Sequence, residues 1–167
     1  VKLKTTHPQL KLIIAPHEID KPNIDRLRNL LSKYQIEFHL YSENLTEYKF
    51  PVLVINAIGF LSSVYQYGTV AHIGGGFNDG IHNILEPTVY GLPVIFGPNY
   101  HKFNEAHQII DLKAGFVINN AEELSNQLKL FYEDKSVLSE ASALAKNYVL
   151  KNSGATNKVV DGLKEFL

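Results

Sequence analysis

The sequence predicts an α/β fold, a Rossmann-like open parallel sheet with helices on both faces. Three observations carry this. Short apolar runs rich in β-branched residues recur along the chain, amphipathic stretches alternate with them, and glycine or proline stands at most of the junctions. At 167 residues, with 45% apolar and 20% charged residues, the chain is read as one domain, 1–167, long enough to bury a substantial core.

The elements follow in order. "LKLIIAP", Leu10 to Pro16, is a nearly continuous apolar run ended by proline, the pattern of a strand buried on both faces. Between Asn23 and Tyr34, Ile24, Leu27, Leu30 and Leu31 fall at helical spacing, with Asn23 as N-cap after Pro22. "IEFHLYS" and "PVLVINA" are two further strands. "GFLSSVYQYG", Gly59 to Gly68, reads as a short helix, and "TVAHIGG" as the strand after it. "NILEPTVYG" is expected to be helical up to Gly91, with Pro87 in its first turn, where a missing N–H does least harm. The strand "PVIFG", the helix "KFNEAHQIIDLKAG" and the strand "GFVIN" come next. A helical tail from Ala121 to Leu167 is broken at "KNSGATNK", where Gly154 is a cap.

Composition narrows the function. A net charge of −1 supplies no basic field for a nucleic acid or an anionic membrane, so an anionic ligand must be held locally. The absence of cysteine excludes disulfides and thiolate metal sites. The seven histidines form no H-x-x-x-H pair, and no metal or cofactor is expected. No apolar run reaches the roughly 20 residues of a membrane span, and no signal peptide is recognised ahead of the first strand. The sequence starts at Val1 and contains no methionine, and is expected to be part of a longer chain.

In an open parallel sheet, ligands lie at the carboxyl ends of the strands. Three loops leave apolar strands there, "APHEID", "NAIGF" and "GGGFNDGIHN", and they are expected to converge. Gly59 and the glycines Gly74 to Gly76 and Gly80 are candidates for presenting backbone amides to a phosphate, with Gly59 at a helix N-terminus. Three successive glycines imply that something approaches the backbone closely. Neither a dinucleotide fingerprint nor a P-loop is present. Asn83 and Glu86, three residues apart, share one face of a first helical turn. Glu86 could accept hydrogen bonds from a ribose, or Asn83 and Glu86 could form a capping box.

"GGGFNDGIHNILEPTVYGLPVIFGPNYHKFNEA" resembles the G-G-[GS]-…-G-G-H-N-x-L-E-P-…-G-x-P-V-x-F-G-P-…-F segment of 3-deoxy-D-manno-octulosonic acid (Kdo) transferases, enzymes of lipopolysaccharide core assembly. "IIAPHEID" and "VINAIGFLSSVYQYGTVAHIGGG" resemble that family's A-P-R-H-x-E-like and D-T-x-G-E-L-x-x-L-Y-x-x-A-D-x-A-x-x-G-G-S segments, in the same order. The likeness spans nearly the whole chain. It implies the C-terminal, donor-binding half of a glycosyltransferase B fold, with CMP-Kdo as donor and lipid A precursor as acceptor. It implies CMP contacts at Pro16 and His17, at Ile58, Gly59 and Phe60, and at Asn83, Ile84, Leu85 and Glu86, with Glu86 on the ribose; Gly75 and Gly76 are donor-site candidates from the glycine run itself, and His82 from its place in the loop, where it either contacts the donor or shapes the turn. The departures are His17 where arginine is common, Phe60 where glutamate is common, and Ile81 in place of glycine. A histidine carries the missing positive charge only when protonated.

The resemblance further implies a metal-independent transfer. Amides near Gly59 and Asn83 would stabilise the departing phosphate, and a glutamate in an N-terminal acceptor domain would be the general base. This chain, lacking that domain, is expected to bind donor without turnover, and the full-length enzyme to work at the cytoplasmic face of the inner membrane. Two alternatives stay open: a non-catalytic sugar-nucleotide-binding module, and a UDP-sugar transferase of the same fold. Tyr65 and Tyr67 are read as packing residues, with lining of the cleft as the alternative for either. Ser62 and Ser63 lack triad partners, and the "NLT" at Asn44 is a chance glycosylation match.

Overall fold

A computed structural model describes residues 7–43 and 50–164; the "NLT" tripeptide lies outside them. The chain divides into two compact units, Val1–Val64 and Tyr65–Leu167.

In the first unit, strands β1 (Leu12–Ile14), β2 (Phe38–Leu40) and β3 (Val52–Val54) form a parallel sheet in the order β1-β3-β2. Helix α1 (Lys21–Lys33) brings Ile24 and Leu31 into a core with Leu40, Val52 and Val54. Its N-cap is Asp20 and not Asn23. The Asp20 carboxylate accepts from the Asn23 N–H at 3.0 Å, and Pro22 occupies the first turn, where its lack of a donor is harmless. β1 also departs from expectation. It pairs with β3 at the sheet edge, and Leu12 and Ile13 are 48% and 36% exposed, so the run is apolar without being buried on both faces. After β2 the predicted strand turns into a 3-10 segment, Tyr41–Glu43, whose Glu43 pairs with Arg28 and His39 and accepts from the Leu40 N–H.

In the second unit, β4 (Ala71–Ile73), β5 (Val94–Phe96) and β6 (Gly115–Val117) form a second parallel sheet with β5 in the centre. All three β5 residues are fully buried. Val94 and Phe96 pack with Ala71, Ile73, Ile84, Ile109 and Tyr148, while Ile95 packs with Ile118, Phe131 and Ala141. Two apolar clusters around one strand are what helices on both faces require. The segment after Gly59 is shorter than its pattern suggests: α2 covers only Leu61–Val64, followed by a 3-10 turn at Tyr65–Tyr67. α3 covers only Leu85–Val89 and closes on Gly91, which adopts φ +74° while the Leu92 N–H returns to the Pro87 carbonyl at 3.2 Å. α4 (Asn104–Asp111) leads into β6. The helical tail is three helices, α5 (Ala121–Glu133), α6 (Lys135–Asn152) and α7 (Ala155–Lys164). Gly154, at φ +88°, makes the expected break, and Asp134 makes one that the apolar pattern conceals. No described helix is long and apolar enough to cross a membrane.

Candidate functional site

The glycine-rich segment leaves β4 and doubles back on itself. The His82 N–H donates to the Gly74 carbonyl at 3.1 Å, and the Asn78 and Gly80 N–H groups both donate to Gly75 O. The turn after β5 braces the loop from outside, because Asn99 donates its backbone N–H to Gly76 O at 2.9 Å and its side-chain amide to Asn78 O at 2.7 Å. A Cβ on Gly75 would overlap the Gly80 carbonyl oxygen, and one on Gly76 would stand 2.6 Å from the Gly97 nitrogen. The glycines are therefore required first by the approach of the chain to itself. Gly75, at φ +85°, also uses the left-handed region that glycine occupies at no steric cost. The His82 ring lies over Gly74 and Gly75, within 3.3 Å of where a Gly75 Cβ would be. Ile81 fills the core at 4% exposure.

At the start of α3, the Asn83 side-chain oxygen accepts from the Leu85 N–H at 2.9 Å, and its Nδ2 donates to Glu86 Oε1 at 3.0 Å. This resembles a capping box, with the difference that Glu86 binds the Asn83 side chain in place of its backbone N–H. Ile84 is 1% exposed, so only its main chain can face a ligand; Leu85 is exposed and Glu86 half-buried. Tyr65 is half-buried nearby, and its phenol is held above the ordinary value by burial first and by the Glu86 carboxylate second. It is protonated at neutral pH.

In the first unit, the loops after β1 and β3 leave the same sheet edge, since those strands are parallel neighbours. Pro16 is half-buried and His17 exposed. Asn56 ties its loop to the end of β2, accepting from the Ser42 N–H at 3.0 Å and donating to Ser42 Oγ at 2.8 Å. Ile58 beyond it is 85% exposed, and Phe60 meets the Tyr41 ring at 4.9 Å. Gly59 adopts φ +89° with open space where a Cβ would be, so its backbone conformation alone calls for glycine. It does not open the helix: α2 begins at Leu61 and holds four residues. A single turn carries little macrodipole, so any phosphate binding here falls to individual turn amides.

Three residues escaped the sequence reading: Gly97 and Asn99 support the glycine loop, and Ser42 holds Asn56. Tyr65, read as packing or cleft-lining, has Glu86 as its charged neighbour, which the sequence did not indicate. The "FGPN" turn after β5 was a usable signal, because it is the neighbouring strand's exit at the same edge.

No protein-family model matches the chain. Over 168 aligned residues, 99% of its length, the chain is 32% identical to 3-deoxy-D-manno-octulosonic acid transferase of Aquifex aeolicus. It is a homologue of the Kdo transferases. A second member, from Chlamydophila psittaci, is 35% identical over 109 residues, 64% of this chain. The homologue spans 44% and 25% of the lengths of these two relatives. Its fold matches the C-terminal CMP-Kdo binding domain of WaaA from Acinetobacter baumannii with a TM-score of 0.70 at 22% identity, covering 86% of this chain and 77% of that one.

Proposed function

We propose that this chain is the donor-binding part of a Kdo transferase, which takes Kdo from CMP-Kdo and, in the full-length protein, passes it to a lipid A precursor in lipopolysaccharide assembly. The observation that carries the reading is the Gly74–Glu86 segment, where a chain homologous to Kdo transferases holds a half-buried carboxylate beside a tightly folded glycine loop. In this reading Glu86 accepts hydrogen bonds from the ribose hydroxyls of CMP. The main-chain amides of Asn83 and Ile84, which lie between the bonded His82 and Leu85 N–H groups, face the phosphate and balance the charge that grows as the glycosidic bond breaks. Contacts from Pro16, His17, Ile58, Gly59 and Phe60 belong to the same proposal and rest on the resemblance of their loops. The base that deprotonates the acceptor hydroxyl is assigned to the remainder of the protein, and the site of action to the cytoplasmic face of the inner membrane.

The test is a thermal-shift comparison of CMP, CDP, UMP and UDP with the wild-type chain and with Glu86→Gln. CMP at about 100 times its dissociation constant should stabilise the wild-type chain by about 2.7 kcal/mol. Removing the charged acceptor should weaken CMP binding by roughly 1.5–3 kcal/mol, about tenfold or more. Preference for UDP would replace the CMP-Kdo assignment with a UDP-sugar one, and unchanged CMP affinity in Glu86→Gln would remove the ribose role.

A further inference from the structure

We propose that Asn83 is a positioning residue for Glu86, holding the carboxylate in one rotamer before the nucleotide arrives; this rests on the donor-binding reading of Glu86. An asparagine amide offers an acceptor oxygen on one side and a donor nitrogen on the other. The Leu85 N–H engages Oδ1 at 2.9 Å, and that bond fixes the orientation of the amide. Nδ2 consequently faces Glu86 and donates to Oε1 at 3.0 Å. Oε2 is left to accept a ribose hydroxyl.

The backbone on both sides of Glu86 is already fixed. Ile84, Pro87 and Thr88 are fully or nearly fully buried, and Thr88 Oγ1 donates to the Ile84 carbonyl at 2.6 Å. The freedom left to Glu86 is that of its own side chain, and the bond from the Asn83 amide restricts it. A glutamate left to rotate would be ordered only on binding, which weakens affinity by roughly two- to tenfold per immobilised side chain. Tyr65, half-buried and protonated, adds a second neighbour that does not compete as a charge.

The variants separate this role from two simpler ones. Asn83→Asp keeps the acceptor for the Leu85 N–H, and so the turn, but sets a second carboxylate against Glu86. Asn83→Ala removes both bonds. The swapped pair, Asn83→Asp with Glu86→Gln, restores a donor and an acceptor in reversed order. Side-chain three-bond couplings of residue 86, measured by NMR in the ligand-free chain, should report one rotamer in the wild type, averaging in Asn83→Ala and Asn83→Asp, and one rotamer again in the swapped pair. CMP titration should show a loss of roughly two- to tenfold for Asn83→Ala, and no further loss when Glu86→Ala is already present. Unfolding midpoints of all variants establish that each is folded.

A single rotamer at residue 86 in Asn83→Ala overturns the proposal. So does an equal loss of CMP affinity with and without Glu86, which would make Asn83 a direct contact. If no variant and no wild-type chain binds CMP, the donor reading fails, and the couplings still decide whether Asn83 orders Glu86.

Discussion

Gly76 answers to a requirement that its motif reports only in part, the close approach of a second stretch of backbone. Its position in a run of three marked a loop of unusual closeness, which the structure bears out, but the partner at that distance is the Gly97 backbone. No local pattern could supply that partner, because Gly97 lies 21 residues away on the next strand's exit, the separation also seen between Asn99 and Asn78. Gly76→Ala should therefore destabilise the chain by about 1–3 kcal/mol, read from denaturant unfolding, since backbone and not a flexible side-chain tip stands in the way. An unchanged midpoint would mean that the two turns separate at no cost. Asn83 and Glu86 were legible as a pair from their spacing, whereas the bond between their side chains was not: the capping-box pattern sends the carboxylate to the backbone, and here the side-chain amide takes it. Ile81, a departure from the glycine of the family pattern, is explained by burial in the core.

Helix ends were the least legible elements. A run of apolar residues records which face is buried, while the end of a helix is set by one or two side chains that meet backbone N–H groups. Asp20 displaced Asn23 as the cap of α1 for this reason, and Asp134 split a continuous helical pattern into α5 and α6. The strands were recognised in their order, with β5 buried as its unbroken apolar run suggests, yet β1 has the same composition and sits at an edge. Composition does not encode strand order. The Asp134 carboxyl is held below its ordinary range by Ser136, whose hydroxyl lies 2.6 Å away, and by the Val137 and Ser136 N–H groups. A folded value below the unfolded one means that the contribution is complete above about pH 4 and is lost as the pH falls through the folded value. Asp134→Asn keeps a cap and removes the charge, so its unfolding midpoint should fall less than that of the wild type between pH 5 and pH 2. Two helices end on non-glycine residues in the left-handed region, α1 at Gln35 (φ 54°) and α4 at Lys113 (φ 58°). Gln35→Gly and Lys113→Gly should each raise stability by up to about 1 kcal/mol, and a fall in either midpoint would contradict the strain.

For the molecule as a whole, the α/β class and the parallel pairing of all six described strands follow from the alternation of strand and helix patterns. The division into two three-stranded sheets did not, because pairing between strands depends on contacts that no window of sequence contains. The chain spans less than half of its Aquifex relative, and a transfer reaction needs an acceptor site and a base as well as a donor site. Incubated with CMP-Kdo and a lipid A precursor, the 167-residue chain should release no product while still being stabilised by CMP; product formation would place the base within these residues. One feature of the second unit also bears on motion. With Gly76 and Gly97 in backbone contact and Asn99 bonded at both Gly76 and Asn78, neither turn can peel away alone. Amide protons of Asn78, Gly80 and Asn99 should trade for deuterium through one shared opening, with matching free energies, and nucleotide should slow all three together.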